Sequence, residues 1–356
     1  MTQKDITVDA GKLLDLTVRA LQKVGVPHED ARITADMLVT TDLRGIESHG
    51  VAHLAQFYVG AIRSGRINPT PNTRIVRETP STAVMDGDRG LGFVVGHRAM
   101  NEAMRKADAT GAGFVAVRNS THSGAGFYYA MMALPRDMVG ISMTTGGPVV
   151  IPPGGTKRTY GANVISVAAP AGEGAPFVLD MATSTVAVGK LEIAARRALP
   201  IPVGWALDSE ARPTKDPTTF FSGGGLLPLG GTPEQGSYKG FGLALAVDVF
   251  CGLLSASGAS LLLKGSFSQF YGALRIDAFL PAAEFKALMD SAVQALKAAP
   301  RAEGAGELRI AGEIEHDLER ERRASGLPLH PAVVQSLRDM SRELEIDCDL
   351  ATNTGG

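Results

Sequence analysis

The chain has 356 residues, 44% of them hydrophobic and 20% charged, with 35 Lys and Arg against 37 Asp and Glu and a formal net charge of −2. That length allows a substantial core and two domains, and the composition is that of an ordered globular chain. Electrostatic nucleic-acid binding, which needs a clustered positive face, is excluded by the near-zero charge and the lack of a basic run.

The start, Met1 to Asp5, has no apolar run of the kind a secretory signal needs. From Asp9 to about Ser64 the pattern is helical. Asp9 suits an N-cap, and Leu13, Leu14, Val18, Leu21 and Val24 recur at three- and four-residue steps. A second helix begins near Glu29 and Asp30, whose charges suit the positive end of the helix dipole, and stops around Gly45. A third runs from about Val51 to Arg63 and is broken by Gly65 and Asn68-Pro69.

From about Arg74 to Asp277 the reading is mixed. β-rich runs fall at Thr82–Met85, Gly113–Val117, Val139–Thr144, Val164–Ala168 and Pro176–Asp180, interleaved with helical stretches Phe93–Thr110, Ala125–Leu134, Thr185–Arg197 and Lys239–Leu254. Ser222 to Gly236 is glycine-rich and reads as a long loop. The longest apolar stretch, Phe241–Leu254, is too short to cross a bilayer and contains Asp248, so a buried helix is expected there. After Pro281 the chain is helical again over Ala282–Ala299, Glu315–Ala324 and Ala332–Glu343, and 352–356 reads as a frayed tail. The two cysteines, Cys251 and Cys348, read as free thiols of a reducing compartment. The expectation is a cytoplasmic protein without membrane contact.

Two short segments carry the chemistry: Arg44-Gly45-Ile46-Glu47-Ser48-His49-Gly50 and Asn119-Ser120-Thr121-His122-Ser123-Gly124-Ala125-Gly126. Each sets one of only seven histidines among hydroxyls and glycines at a helix edge. Imidazole titrates nearest neutrality and so suits proton transfer; the alternative reading is that each histidine merely caps or ends its helix. Gly90-Leu91-Gly92-Phe93-Val94-Val95-Gly96 has the spacing GxGxxxG, not the dinucleotide fingerprint GxGxxG, and reads better as a turn before an amphipathic helix.

The loop Ser120–Gly126 opens backbone N–H groups at a helix start, which makes it a candidate anion site. Asp180, ahead of Met181-Ala182-Thr183, is either a ribose acceptor or a helix cap. Lys239 at the start of an apolar helix opposes the dipole unless an anion compensates it. His49 and His53 are four apart, but no third ligand stands near them, so no metal site is expected.

Taken in order, these segments resemble the malate/L-lactate dehydrogenase family of non-Rossmann NAD(P)-dependent reductases. Its members include ureidoglycolate and sulfolactate dehydrogenases, 2,3-diketogulonate reductases and Δ1-piperideine-2-carboxylate reductases. The resemblance runs from Asp42–Val51 and Gly65–Pro69 through Asn119–Gly126, Gly140–Thr144, Asp180–Ser184, Trp205–Asp208, Pro213–Pro217 and Tyr238–Gly242 to Gly326–Leu329.

It implies an α/β fold with a mixed-sheet cofactor domain over 76–280 and a helical substrate and dimer domain made of 1–75 with 281–356. It also implies a homodimer, NADH or NADPH as cofactor, and a small 2-oxo acid, 2-hydroxy acid or cyclic 2-imino acid as substrate. By resemblance Ser48, His49 and His122 are catalytic, with His49 the expected proton donor and His122 a second polar group, an order that could be reversed. The cofactor contacts would be His122, Ser123, Gly124, Ala125, Gly126, Gly146, Asp180, Met181, Ala182, Lys239, Gly312 and Glu313.

The sequence departs from the family where His53 replaces a common arginine, so either the substrate group differs or Arg44 takes that role. It departs again at Gly161-Ala162-Asn163-Val164, at Ala311-Gly312-Glu313 and at Thr145-Gly146-Gly147-Pro148. The other reading is a family member that keeps fold and dimer but serves as a nucleotide- or ligand-binding protein.

Overall fold

The computed structural model describes residues 4–262 and 267–351; the tail 352–356 lies outside the described residues. A short strand, β1 (Ile6–Val8), leads into α1 (Ala10–Lys23), whose start is capped by Asp9 accepting the Lys12 N–H at 2.8 Å. The face carrying Leu13, Leu16, Ala20 and Leu21 is buried. Next, α2 (His28–Leu43) buries Ala31, Ala35, Met37 and Leu38 in the same core.

The single helix expected over 51–63 is three pieces: a 3-10 turn at Val51–His53, a π-helical turn at Leu54–Val59, and α3 (Gly60–Arg63). A π-turn closes i to i+5, so residues four and five apart share one face. That geometry lets His53, Phe57 and Tyr58 look the same way.

The mixed region builds one seven-stranded sheet. Strands β2 (Arg74–Glu78) and β3 (Thr82–Asp86) form a hairpin, α4 (Gly92–Thr110) crosses over, and β4 (Ala112–Ser120) returns parallel to β3. After α5 (Phe127–Met131) come β5 (Met138–Thr144), β6 (Val164–Ala169) and β7 (Phe177–Ala182). Then follow α6 (Val188–Arg196), the small pair β8 (Ala206–Leu207) and β9 (Gly225–Leu226), and α7 (Ser237–Val247), which runs into a second π-turn at Asp248–Leu253. The expected long loop therefore contains β9, and the helix expected to end at Leu254 changes type at Asp248 and is not buried as expected: Leu243, Leu245, Val249 and Leu253 are exposed, and only a narrow face with Ala244, Val247 and Cys251 packs inward.

Strand β10 (Phe267–Arg275) was not expected, yet it is the centre of the sheet, whose order is β2-β3-β4-β10-β5-β6-β7. It is buried on both faces, Ser268 and Gln269 included, and so lacks the alternation by which a half-buried strand is recognised. The C-terminal helices are α8 (Ala282–Lys297), α9 (Glu313–Ser325) and α10 (Pro331–Glu343). Between the last two, β11 (Leu327–Leu329) pairs antiparallel with β1 and joins the two ends of the chain. No helix among the described residues is long and apolar enough to cross a membrane.

Candidate active site

Pairing in the sheet fixes where the candidate residues meet. Strands β4, β5 and β7 run in one direction, with β10 and β6 antiparallel between them. The carboxyl ends of the first three therefore share one end of the sheet with the amino ends of the other two. His122 follows β4, Gly146 follows β5, and Met181 and Ala182 close β7. Ligands of α/β sheets gather outside such strand ends.

The turn Gly90-Leu91-Gly92, read as structural, holds the His122 loop. Thr121 Oγ1 donates to Gly90 O at 2.8 Å and accepts the Gly92 N–H at 3.0 Å. A Cβ on Gly92 would lie 2.4 Å from the backbone oxygens of Thr121 and His122, so only glycine lets α4 start against this loop.

His49 and His122 are far apart in sequence but stack in space, ring centroids 5.6 Å apart and 20° between planes. Ser48 Oγ lies 2.9 Å from His49 Nδ1, and Tyr58 Oη lies 2.8 Å from His122 Nδ1. His53 Nε2 is 3.3 Å from Glu192 Oε2, a carboxylate on α6, and the start of α6 packs on Ser48 at Gly189. Phe57 and Phe267 meet the His122 ring edge-on.

Burial lowers the His49 pKa to about 4, with the His53 charge adding to that and Glu192 opposing it. His122 is pushed well below the usual histidine range by burial and then by its two histidine neighbours. Both imidazoles are therefore neutral at pH 7.

The turn carrying His49 is supported by Asp42. Its Oδ2 accepts the Val51 N–H at 2.7 Å, and its own carbonyl accepts from Arg322 at 2.5 Å. Burial raises the Asp42 pKa to about 7, against the lowering effect of the Val51 hydrogen bond. A Cβ on Gly50 would stand 2.0 Å from Asp42 Oδ1. Gly50→Ala must therefore displace a buried carboxylate and break its bond to Val51, at a cost of about 2–4 kcal/mol. The expected result is a thermal midpoint lower by several degrees, with any turnover lost beyond what the folded fraction accounts for. An unchanged midpoint would mean the Asp42 support is dispensable.

A second group of candidates lines a cavity of about 270 Å³ bounded by Arg44, Phe127, Asp180, Ile310 and Gly312. Arg44 pairs with Glu319 at 3.0 Å and lies over the Phe127 ring, 4.9 Å from its centroid, while its buried Nε has no hydrogen-bond partner among the described residues. Asp180 is a cap, though of α5 and not of the helix after it: Oδ2 accepts the Phe127 N–H at 3.0 Å and Oδ1 the Ser166 hydroxyl at 2.6 Å. Burial raises its pKa against these bonds.

Glu313 turns to Lys297 and to the Ile310 N–H. The Gly146 N–H reaches Asn163 Oδ1 at 3.4 Å. Lys239 is exposed beside Tyr238, its ammonium 5.8 Å from that ring, and is not in contact with the histidines. A larger cavity of about 460 Å³, lined by Ile62, Asn68, Asp88, Arg89 and Asn119, contains none of the site histidines. Among the described residues no His, Cys, Asp and Glu cluster suits a metal ion.

Sequence reasoning did not single out Tyr58, Phe57, Glu192, Ser166 or Phe267. Only Tyr58 and Phe57 left a trace, as aromatics close behind the Ser48-His49 motif. His49 and His122, buried, stacked and each with a hydroxyl partner on Nδ1, form a candidate proton-handling pair beyond the carboxyl end of β4.

A family model for malate/L-lactate dehydrogenase matches residues 8–338. The chain is 43% identical to the malate dehydrogenase of Pyrococcus abyssi over 96% of each chain. It is 39% identical to the L-sulfolactate dehydrogenase of Methanocaldococcus jannaschii over 94% of this chain and 96% of that one. The solved malate dehydrogenase of Pyrococcus horikoshii superposes with a TM-score of 0.90 at 40% identity, covering 96% and 97% of the two chains. The chain belongs to the malate/L-lactate dehydrogenase family, a dehydrogenase built on that family's fold.

Proposed function

We propose that this protein interconverts a small 2-hydroxy acid and its 2-oxo acid, or reduces a cyclic 2-imino acid, with His49 moving the proton and His122 as the second polar group at the reacting atom. The single observation behind this reading is the stacked, buried pair His49 and His122, each with a hydroxyl partner on Nδ1. When bound, NADH or NADPH would supply the hydride for reduction, and NAD+ or NADP+ would accept it in the oxidation direction. The hollow beside Arg44 is assigned to part of such a cofactor, with the guanidinium and the backbone of 310–312 in its wall as partners for a ribose phosphate.

Asp180, Met181, Ala182, Gly312 and the 122–126 loop would hold it, with Gly146, Glu313 and Lys239 at the margins. His49, neutral in the free protein, is ready to take the alcohol proton in the oxidation direction and pass it on through Ser48. His53 stands where a substrate-clamping arginine is common in the family, held by Glu192. Arg44 is engaged by Glu319 instead, so the substrate's far end meets an imidazole and not a guanidinium.

Residues 1–75 and 281–356 act as the substrate and dimer domain on this reading, and 76–280 as the cofactor domain. On the same reading the protein is cytoplasmic and a homodimer, and the exposed Leu243, Val249 and Leu253 of α7 and its π-turn would extend the dimer contact onto the cofactor domain. The test follows NADH and NADPH absorbance against pyruvate, oxaloacetate, longer 2-oxo acids, Δ1-piperideine-2-carboxylate and Δ1-pyrroline-2-carboxylate, with the mass in solution read by light scattering. Turnover of one class by a species of twice the chain mass is expected. No turnover by folded, cofactor-binding protein favours the ligand-binding alternative, and a monomer overturns the dimer.

A further inference from the structure

Two hydrogen-bond donors converge on one nitrogen of His122. Tyr58 Oη lies 2.8 Å from Nδ1, and the backbone N–H of Gly124 points at the same atom from 3.3 Å. An amide N–H only donates, so Nδ1 must carry a lone pair, and the tyrosine hydroxyl is then the second donor. Burial raises the Tyr58 pKa, which keeps that hydroxyl protonated and able to donate.

The ring cannot turn over to exchange its nitrogens without disturbing its neighbours. His49 covers one face, and Phe57 and Phe267 press edge-on at centroid distances of 5.3 and 5.6 Å. Nε2 has no hydrogen bond from the protein among the described residues, so it is the polar atom left to meet a ligand.

We infer that Tyr58 is a positioning residue that, together with the Gly124 N–H, holds His122 as its Nε2–H tautomer, so that His122 donates a hydrogen bond to the reacting oxygen or nitrogen while His49 with Ser48 moves the proton. The two imidazoles thereby have different tasks. His122 keeps its proton throughout and offers it as a hydrogen bond to the atom on which negative charge builds. His49 has a hydroxyl on Nδ1 that can both give and take a proton. This inference rests on the proton-handling reading of the pair, but the tautomer is measurable without turnover.

The experiment is 15N NMR of histidine-labelled protein, with the His122 signals assigned by their absence in His122→Asn. The expected wild-type spectrum has His122 Nδ1 unprotonated and Nε2 protonated from pH 8 to pH 6. In Tyr58→Phe only the Gly124 N–H remains to hold Nδ1. A mixture of tautomers is expected, with kcat lower by about tenfold and cofactor KM unchanged, the scale of one lost hydrogen bond in the transition state.

An Nδ1–H tautomer in the wild type overturns the inference, and that result needs no variant to fold. A Tyr58→Phe protein that keeps both the pure tautomer and full kcat also overturns it. Failure of the functional reading is distinct: the tautomer is as expected, but no 2-oxo acid or imine is turned over.

Discussion

Replacing His49 by alanine is expected to slow turnover by about 10²–10⁴-fold, the usual contribution of a positioned general acid or base. His122→Ala is expected to cost about 10²–10³-fold, the scale of removing one preorganised donor to developing charge. The two losses differ in kind. His49 shares Nδ1 with a serine hydroxyl that exchanges donor and acceptor roles, so its removal breaks a route for the proton. Added imidazole should therefore restore part of the His49→Ala activity by entering the vacated volume. His122 is enclosed by His49, Phe57, Tyr58 and Phe267, and a free imidazole entering that space meets none of the alignment the chain provides. Rescue of His49→Ala and not of His122→Ala is the expected pattern. Turnover within tenfold of wild type in both variants would put the proton chemistry elsewhere, and rescue of His122→Ala alone would exchange the two roles.

The parts of this site that were legible in the sequence are those whose chemistry is local. Ser48-His49-Gly50 and Thr121-His122-Ser123 announce themselves because hydroxyl, imidazole and glycine lie side by side. The hydrogen-bond partners of the histidines are not local. Glu192 is 139 residues from His53 and Tyr58 is 64 from His122, and neither is marked by anything in its own neighbourhood. The turn of the chain that aims Tyr58 was hidden as well. Periodicity over 51–63 suggests one helix, whereas a π-turn needs one extra residue per turn and leaves a pattern too short to distinguish. Asp180 shows the same limit from the other side. Its residue type fits a cap, but only the fold reveals that it caps α5, a helix more than fifty residues earlier. Strand β10 completes the picture: Phe267 at its start touches His122, and burial of the strand on both faces removed the alternation that would have identified it.

Acid should loosen this protein between about pH 6.5 and pH 4, and the site histidines should be the reason. An unfolded histidine titrates near 6.5, but His49 in the fold is held down at about 4 and His122 well below its ordinary range. The unfolded chain thus binds more protons in that window, so stability is whole above pH 6.5 and is lost as the pH falls. For His49 the displacement corresponds to about 3 kcal/mol at 1.4 kcal/mol per pH unit.

Asp42 acts in the opposite sense. Its folded pKa of about 7 lies above its unfolded value, so its share of stability is present at low pH and lost as the pH rises through 7. His97, also lowered by burial, adds to the two site histidines, and Asp180, raised by burial, adds to Asp42, so the buried histidines outnumber the buried carboxylates and unfolding takes up protons across the window. Thermal midpoints measured from pH 8 to pH 4.5 should fall on the acid side. Asp42→Asn keeps an oxygen for the Val51 N–H while removing the buried charge. It should raise the midpoint at pH 8 and leave a steeper acid limb. His49→Gln should flatten that limb without changing the alkaline side. A midpoint level from pH 8 to pH 5, or an acid limb untouched by His49→Gln, would refute the assignment of neutral, buried imidazoles to this site.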